Sequence, residues 1–156
     1  MKFFNWLEII TKYLAGFCLF AVFVLVTAQV GGRFLFNFSF AAASELSIYA
    51  MIWSVFLGAA VAFRSNNHIA MDIIKTRLPK RAETIVDVVI FLLLVAFLCL
   101  VVVKGHDLAL RAMRQTSPAA RIPVGYITMA MPVGSVIALV FLCEQQVQKF
   151  LNWKKP

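Results

Sequence analysis

The chain has 156 residues, of which 62% are hydrophobic and 14% charged, and it carries a formal charge of +8. So small a charged share excludes an ordinary water-soluble domain, in which about a quarter of residues are charged. The basic surplus does not signal nucleic acid either, because it is dispersed over segment ends instead of being gathered on one face.

Four runs free of charge, 13–32, 46–63, 88–103 and 122–143, set the framework. A helix needs about 20 mostly apolar residues to cross a hydrocarbon core of about 30 Å. The expectation is therefore one all-α, integral-membrane four-helix bundle over 1–156, with helices at about 13–33, 44–64, 84–114 and 124–149. Ahead of the first, Met1–Lys12 reads as a short amphipathic lead-in that puts Trp6 and Tyr13 at headgroup depth, with Trp153 as their counterpart near the far end. Val26-Thr27-Ala28 has the small residues of a signal-peptide cleavage site, but the apolar run is longer than a typical signal core, so the segment is expected to remain a helix. Gln29 is its one strong polar side chain well inside, and Gly31-Gly32-Arg33 is expected to end it. In the connector Phe34–Ala43, Phe34, Phe36, Phe38 and Phe40 alternate, a pattern that serves interfacial anchoring or a docking surface for another chain.

In the second helix Ser47, Ser54 and Gly58 are spaced by seven and four residues and share one face. Small residues on a stripe let a neighbouring backbone come close, the basis of helix association in lipid. Trp53 lies too deep for an interfacial belt, and its indole N–H calls for a partner within the bundle or across a subunit contact. After Arg64, the polar turn Ser65-Asn66-Asn67-His68 leads to an amphipathic segment at about 68–78, expected to lie in the interface and to end at Leu78-Pro79. Arg64, His68 and Asp72 are expected to form a structural tie there, since His68 and Asp72 are four apart on a helix.

The third helix is expected to protrude beyond its apolar stretch. Lys104, Asp107, Arg111 and Arg114 recur every three or four residues, forming a charged stripe that is either a merely solvated face or a landing site for a soluble partner. The two prolines of Gln115–Pro123 forbid helix there and favour an extended or turned return. In the fourth helix Pro132 and Gly134 predict a kink, while Gly134 and Ala138 offer another small contact face.

Ten of the fifteen basic residues fall at the amino terminus, the second connector and the tail, against five in the first and third connectors. Cytoplasmic loops carry the basic excess, which places both termini in the cytoplasm. Cys18, Cys99 and Cys143 fall inside apolar runs, so neither disulfide nor metal site is expected. No nucleophile–base set, phosphate loop or mid-bilayer charge is present to serve an enzyme or a self-sufficient transporter. The chain reads as an accessory subunit without catalytic residues or cofactor. The readings weighed against this are a self-assembling four-helix exporter and a membrane enzyme or redox subunit.

Glu45-Leu46, Trp53, Phe56-Leu57-Gly58-Ala59-Ala60, Arg64, His68 and Asp72 occur here in the order that resembles the DctQ-type small membrane subunit of tripartite ATP-independent periplasmic (TRAP) transporters. Gln115, Ser117-Pro118-Ala119, Ile122-Pro123, Tyr126 and Pro132-Val133-Gly134 resemble a second signature of that family. The resemblance implies a bacterial inner-membrane complex in which a periplasmic binding protein captures an organic acid, with a lean to the sialic acid branch. A large subunit then moves the acid by an elevator motion driven by sodium ions held on that subunit, and lipids fill the subunit contact. It implies that the small subunit braces the large one, with Ser47, Trp53, Ser54, Gly58, Gly134 and Ala138 packing in the bundle or against it. Candidates for docking the binding protein are Arg33, Glu45, Lys104, Asp107, Arg111, Arg114 and Arg121.

Overall fold

Long apolar segments without proline satisfy their backbone groups internally, as lipid requires, and this sequence does so almost throughout. A computed structural model describes residues 2–36, 41–65 and 80–153. Helix α1 runs Lys2–Phe36, α2 Ala41–Ser65 and α3 Lys80–Ala112; the short α4, Gly125–Thr128, leads into α5, Ala130–Trp153. Four stretches are long and apolar enough to cross a membrane: Phe4–Leu35, Ala41–Arg64, Ile85–Ala112 and Gly125–Gln148. The all-α, four-span expectation therefore stands. The amphipathic segment expected at 68–78 lies outside the described residues.

Two boundaries differ from the sequence reading. Helix α1 includes the expected lead-in, because nothing between Lys2 and Lys12 breaks helix and Thr11 returns its hydroxyl to the Leu7 carbonyl at 2.7 Å. It also passes through Gly31-Gly32, which leave its hydrogen-bond ladder intact. The fourth span is interrupted at the single residue Met129, between α4 and α5, within the turn that precedes Pro132. Pro132, in the first turn of α5, has no N–H to offer the Thr128 carbonyl one turn back, which accounts for the interruption.

The helices form an open row. Helix α1 packs on α2, α2 on α5 and α5 on α3, while α4 wedges between α3 and α5. Helices α1 and α3, the two edges, share no substantial contact among the described residues. The centre lies where α2, α3 and α5 converge on Ala60, Leu98 and Ala138, flanked by Phe63, Ile137 and Leu139. Leu57 and Phe141 are its fully buried large side chains. Close approach rests on glycine: a Cβ on Gly134 would come within 2.9 Å of the Phe56 Cβ and 3.0 Å of its carbonyl oxygen. One on Gly125 would come within 2.7 Å of the Ala109 carbonyl oxygen. The edges stay bare, with Phe17, Phe20 and Phe23 exposed on α1 and Leu92, Leu93, Phe97 and Leu100 on α3.

Candidate functional site

At one end of the row α1, α2 and α5 are clasped by a single guanidinium. Arg64, on the last turn of α2, donates to the Glu8 carboxylate, to Asn5 Oδ1 at 2.7 Å, to the Phe4 carbonyl at 2.9 Å and to Glu144 Oε1 at 3.0 Å. Its plane lies over the Phe141 ring, 5.5 Å from the centroid. A planar five-donor fork can serve several acceptors at once, which a lysine ammonium cannot. Gln145 completes the clasp by donating to the Phe63 and Arg64 carbonyls at 2.9 and 2.7 Å, satisfying the orphan C-terminal end of α2. Lys12 pairs with Glu8 one helical turn away. Glu144 is buried, and Gln148 also donates to its Oε1 at 3.0 Å. Its Oε2 is buried without a hydrogen-bond partner among the described residues. Beside it runs an apolar groove of about 520 Å³ lined by Phe4, Leu139, Val140, Cys143, Glu144, Val147 and Gln148.

At the opposite end a carboxylate organises a loop. The segment after α3 folds back on itself, with Ser117 N–H donating to the Ile122 carbonyl at 3.0 Å and Val124 N–H to the Gln115 carbonyl at 2.9 Å. Glu45, just past the first turn of α2, accepts the Ser117 hydroxyl together with the backbone N–H groups of Ala119 and Ala120, the last at 2.8 Å. Successive N–H groups pointing one way form an anion-binding concavity, and here the anion is supplied by the chain itself. Pro118 has no N–H to be satisfied, which suits it to the start of this turn. Arg121 closes the loop in the left-handed region at φ 53°, a conformation that is unfavourable for a residue bearing a Cβ. Nearby, Gln29 on α1 donates to the Ser44 hydroxyl on α2, so both ends of the α1–α2 pair are tied.

The residues singled out as small-face packers divide. Gly134 and Ala138 are buried in the row, Gly134 against α2. Ser47 is buried and bonds the Ser44 carbonyl at 2.7 Å, while Ser54 bonds the Met51 carbonyl of its own helix at 2.8 Å. A Cβ on Gly58 would meet nothing within 4 Å, so that end of the stripe is open. Trp53 is half-buried. Among the docking candidates Arg33, Lys104, Asp107, Arg111, Arg114 and Arg121 are exposed and make no ion pair among the described residues. Glu45 is different, since its carboxylate is taken up by the loop. Of the expected tie, His68 and Asp72 lie outside the described residues, and Arg64 is held by Glu8 and Glu144. Those two acids, with Gln145, escaped the sequence reading. A glutamate near each end of an apolar run is the signal that could have paired them with the one arginine closing α2.

The arrangement holds three helices together at one end and orients a loop at the other. No group of three or more metal-ligating side chains converges among the described residues. What it offers is bare apolar flanks and, on α1, the end of α3 and the loop after it, five exposed cations and one exposed aspartate without an ion pair among the described residues.

Comparison with known proteins agrees with that reading. A family model described as tripartite ATP-independent periplasmic transporters, DctQ component, matches residues 22–152. The chain is similar to the "Putative TRAP transporter small permease protein" of Haemophilus influenzae, 25% identical over 125 residues that cover 80% of this chain and 77% of that one. It is also similar to the sialic acid TRAP transporter small permease protein SiaQ of Vibrio cholerae, 24% identical over 148 residues, or 95% of this chain and 81% of that one.

Proposed function

The chain belongs to the DctQ family of TRAP transporter components, and on that premise we propose that it is a fixed brace and docking platform in a sodium-driven carboxylate importer. It is a multi-pass protein of the bacterial inner membrane and not an enzyme. Small subunits of this family work with a large membrane subunit and a substrate-binding protein. For this chain, the charge asymmetry of the sequence supports cytoplasmic termini, with the Arg64 clasp inside and the Glu45 loop facing the periplasm.

The observation that carries the reading is the thinness of the row. Among the described residues the row is one helix deep between charge-free spans, and α1 and α3 expose apolar side chains along their length. Such a shape cannot carry an ionised solute across the bilayer, where a charge without partners is costly. It can add stationary area to a neighbour. An elevator needs that, because its frame must not slide with the moving part. The open Gly58 face and the half-buried Trp53 are assigned to the large subunit, lipids filling what remains of that contact. The exposed set Arg33, Lys104, Asp107, Arg111, Arg114 and Arg121 is assigned to the binding protein. Sodium ions belong on the large subunit. The likeness to a sialic acid small permease protein supports an acidic sugar as the cargo of the whole system.

Co-purification in mild detergent tests the assignment. The expected result is a stoichiometric large membrane partner, and uptake of a carboxylate in liposomes only when that partner and a binding protein are supplied. Uptake by this polypeptide alone would overturn it.

A further inference from the structure

The contacts between helices fix a common scale along their axes. At one end Arg64 of α2 meets Phe4 and Glu8 of α1 and Glu144 of α5; at the other Ser44 of α2 meets Gln29 of α1. Between these, Phe56 opposes Gly134, Ala60 packs with Leu98 and Ala138, and Gly105 of α3 lies against Met131 and Pro132. On this scale Lys104, beside Gly105, is level with Ser54 of α2 and with Phe17 of α1. That is the middle of α2, about 15 Å from Ser44 and from Arg64 at a rise of about 1.5 Å per residue.

The two edge helices are displaced against each other on that scale. Beyond the level of Ser44, α1 still exposes Phe34 and Leu35, and beyond the level of Arg64, at the opposite corner, α3 still exposes Ile85, Val88 and Val89. Meanwhile Lys104, His106 and Asp107 are exposed near mid-height on α3. In an upright row these ionisable side chains would face hydrocarbon, where charge is costly, while apolar side chains at two corners would stand in water.

We propose that the row crosses the bilayer obliquely. The centres of the charge-free runs 13–32 on α1 and 88–103 on α3 are offset by about 13 residues, or about 19 Å. Across three helix spacings of about 9 Å each, that offset corresponds to a lean of about 35°, inside the range that transmembrane helices adopt. The lean brings every apolar run to one depth. Lys104 then leaves the lipid on the side of the Glu45 loop, and Lys12 leaves it on the other. From Lys104 to Arg114 the chain stands as a post about 12 Å tall, enough to clear the headgroup layer. On the docking reading above, on which this use of the post rests, Asp107, Arg111 and Arg114 are thereby lifted to meet an acidic surface on a soluble protein.

Two measurements on the full chain in bilayers test the lean without any partner. Polarised infrared dichroism of the unaltered chain should give a mean helix tilt of about 35°. In a chain whose Cys18, Cys99 and Cys143 are replaced by alanine, Lys104→Cys, Phe17→Cys and Val88→Cys are then compared, with folding checked by circular dichroism. N-ethylmaleimide, which crosses bilayers and needs a thiolate formed in water, should label Lys104→Cys about tenfold faster than Phe17→Cys at the same height and faster than Val88→Cys. A tilt below about 15°, or Val88→Cys reacting faster than Lys104→Cys, overturns the proposal. A chain that leans as expected, while its complex with the large subunit fails to bind the soluble component at low salt, sustains the lean and overturns the docking reading alone.

Discussion

Two glycines in helix interiors, Gly58 and Gly134, look alike in sequence and are expected to respond oppositely to alanine. At Gly134 the new Cβ would lie 2.9, 3.0 and 3.1 Å from Phe56 Cβ, O and C. Carbon contacts settle at about 3.5–4.0 Å, and two of these three atoms are backbone, so no rotamer change relieves the overlap. The α2–α5 spacing must widen by roughly half an ångström at the centre of the row. Overpacking of this kind costs about 1–3 kcal/mol, against which a helix-interior glycine-to-alanine change returns about 0.5–1 kcal/mol. The net for Gly134→Ala is a loss of about 0.5–2 kcal/mol, taking the lower and the upper ends of those ranges in turn. At Gly58 the Cβ meets nothing within 4 Å, so only the favourable propensity remains and Gly58→Ala should be neutral or slightly stabilising. Reversible unfolding of the isolated chain in mixed micelles, followed by helix content, measures both. If Gly134→Ala is as stable as the wild type, or Gly58→Ala falls with it, the close α2–α5 approach is not what the row depends on. Gly58→Leu extends the test to the complex. It should spare the isolated chain and reduce co-purification of the large subunit if the open face meets that partner.

Other expectations follow from the two clasps and the exposed cations. Arg64→Ala leaves buried Glu144 without its cation and should cost about 3–5 kcal/mol; adding Glu144→Gln should recover part of that, and additive losses in the double-mutant cycle would show that the pair is not coupled. Glu45→Ala removes the acceptor shared by Ser117, Ala119 and Ala120, so limited trypsin digestion should cut after Arg121 several-fold faster; unchanged cleavage would mean that the loop holds itself. Arg111→Glu together with Arg114→Glu should weaken association with the binding protein about tenfold or more at low salt, the difference shrinking as salt rises. A loss that is independent of salt would point to misfolding and not to docking.

The architecture was legible where physics leaves one solution. Charge-free runs of membrane length must be helices, and the prolines on either side of Ala119-Ala120 must stop them. What could not be read was pairing. A stripe of Ser47, Ser54 and Gly58 signals that something comes close but not what, and here Gly58 faces open space while Gly134 meets Phe56. Likewise, Glu45 reads from sequence as a free charge at a helix start; only the fold brings it to a loop some seventy positions away. Arg64 was expected to tie to residues just after it, by helical spacing, whereas its observed partners come from both ends of the chain. Ion pairs between distant segments leave no periodicity behind.

A wall a single helix deep has two outsides and hardly any inside. Most side chains of α1 and α3 report to the surroundings and not to the rest of the chain, so their replacement should leave this polypeptide's own folding nearly untouched while altering what gathers around it. Damage on those flanks would be silent in a purified sample and audible only in the living membrane, where the neighbours are present to notice.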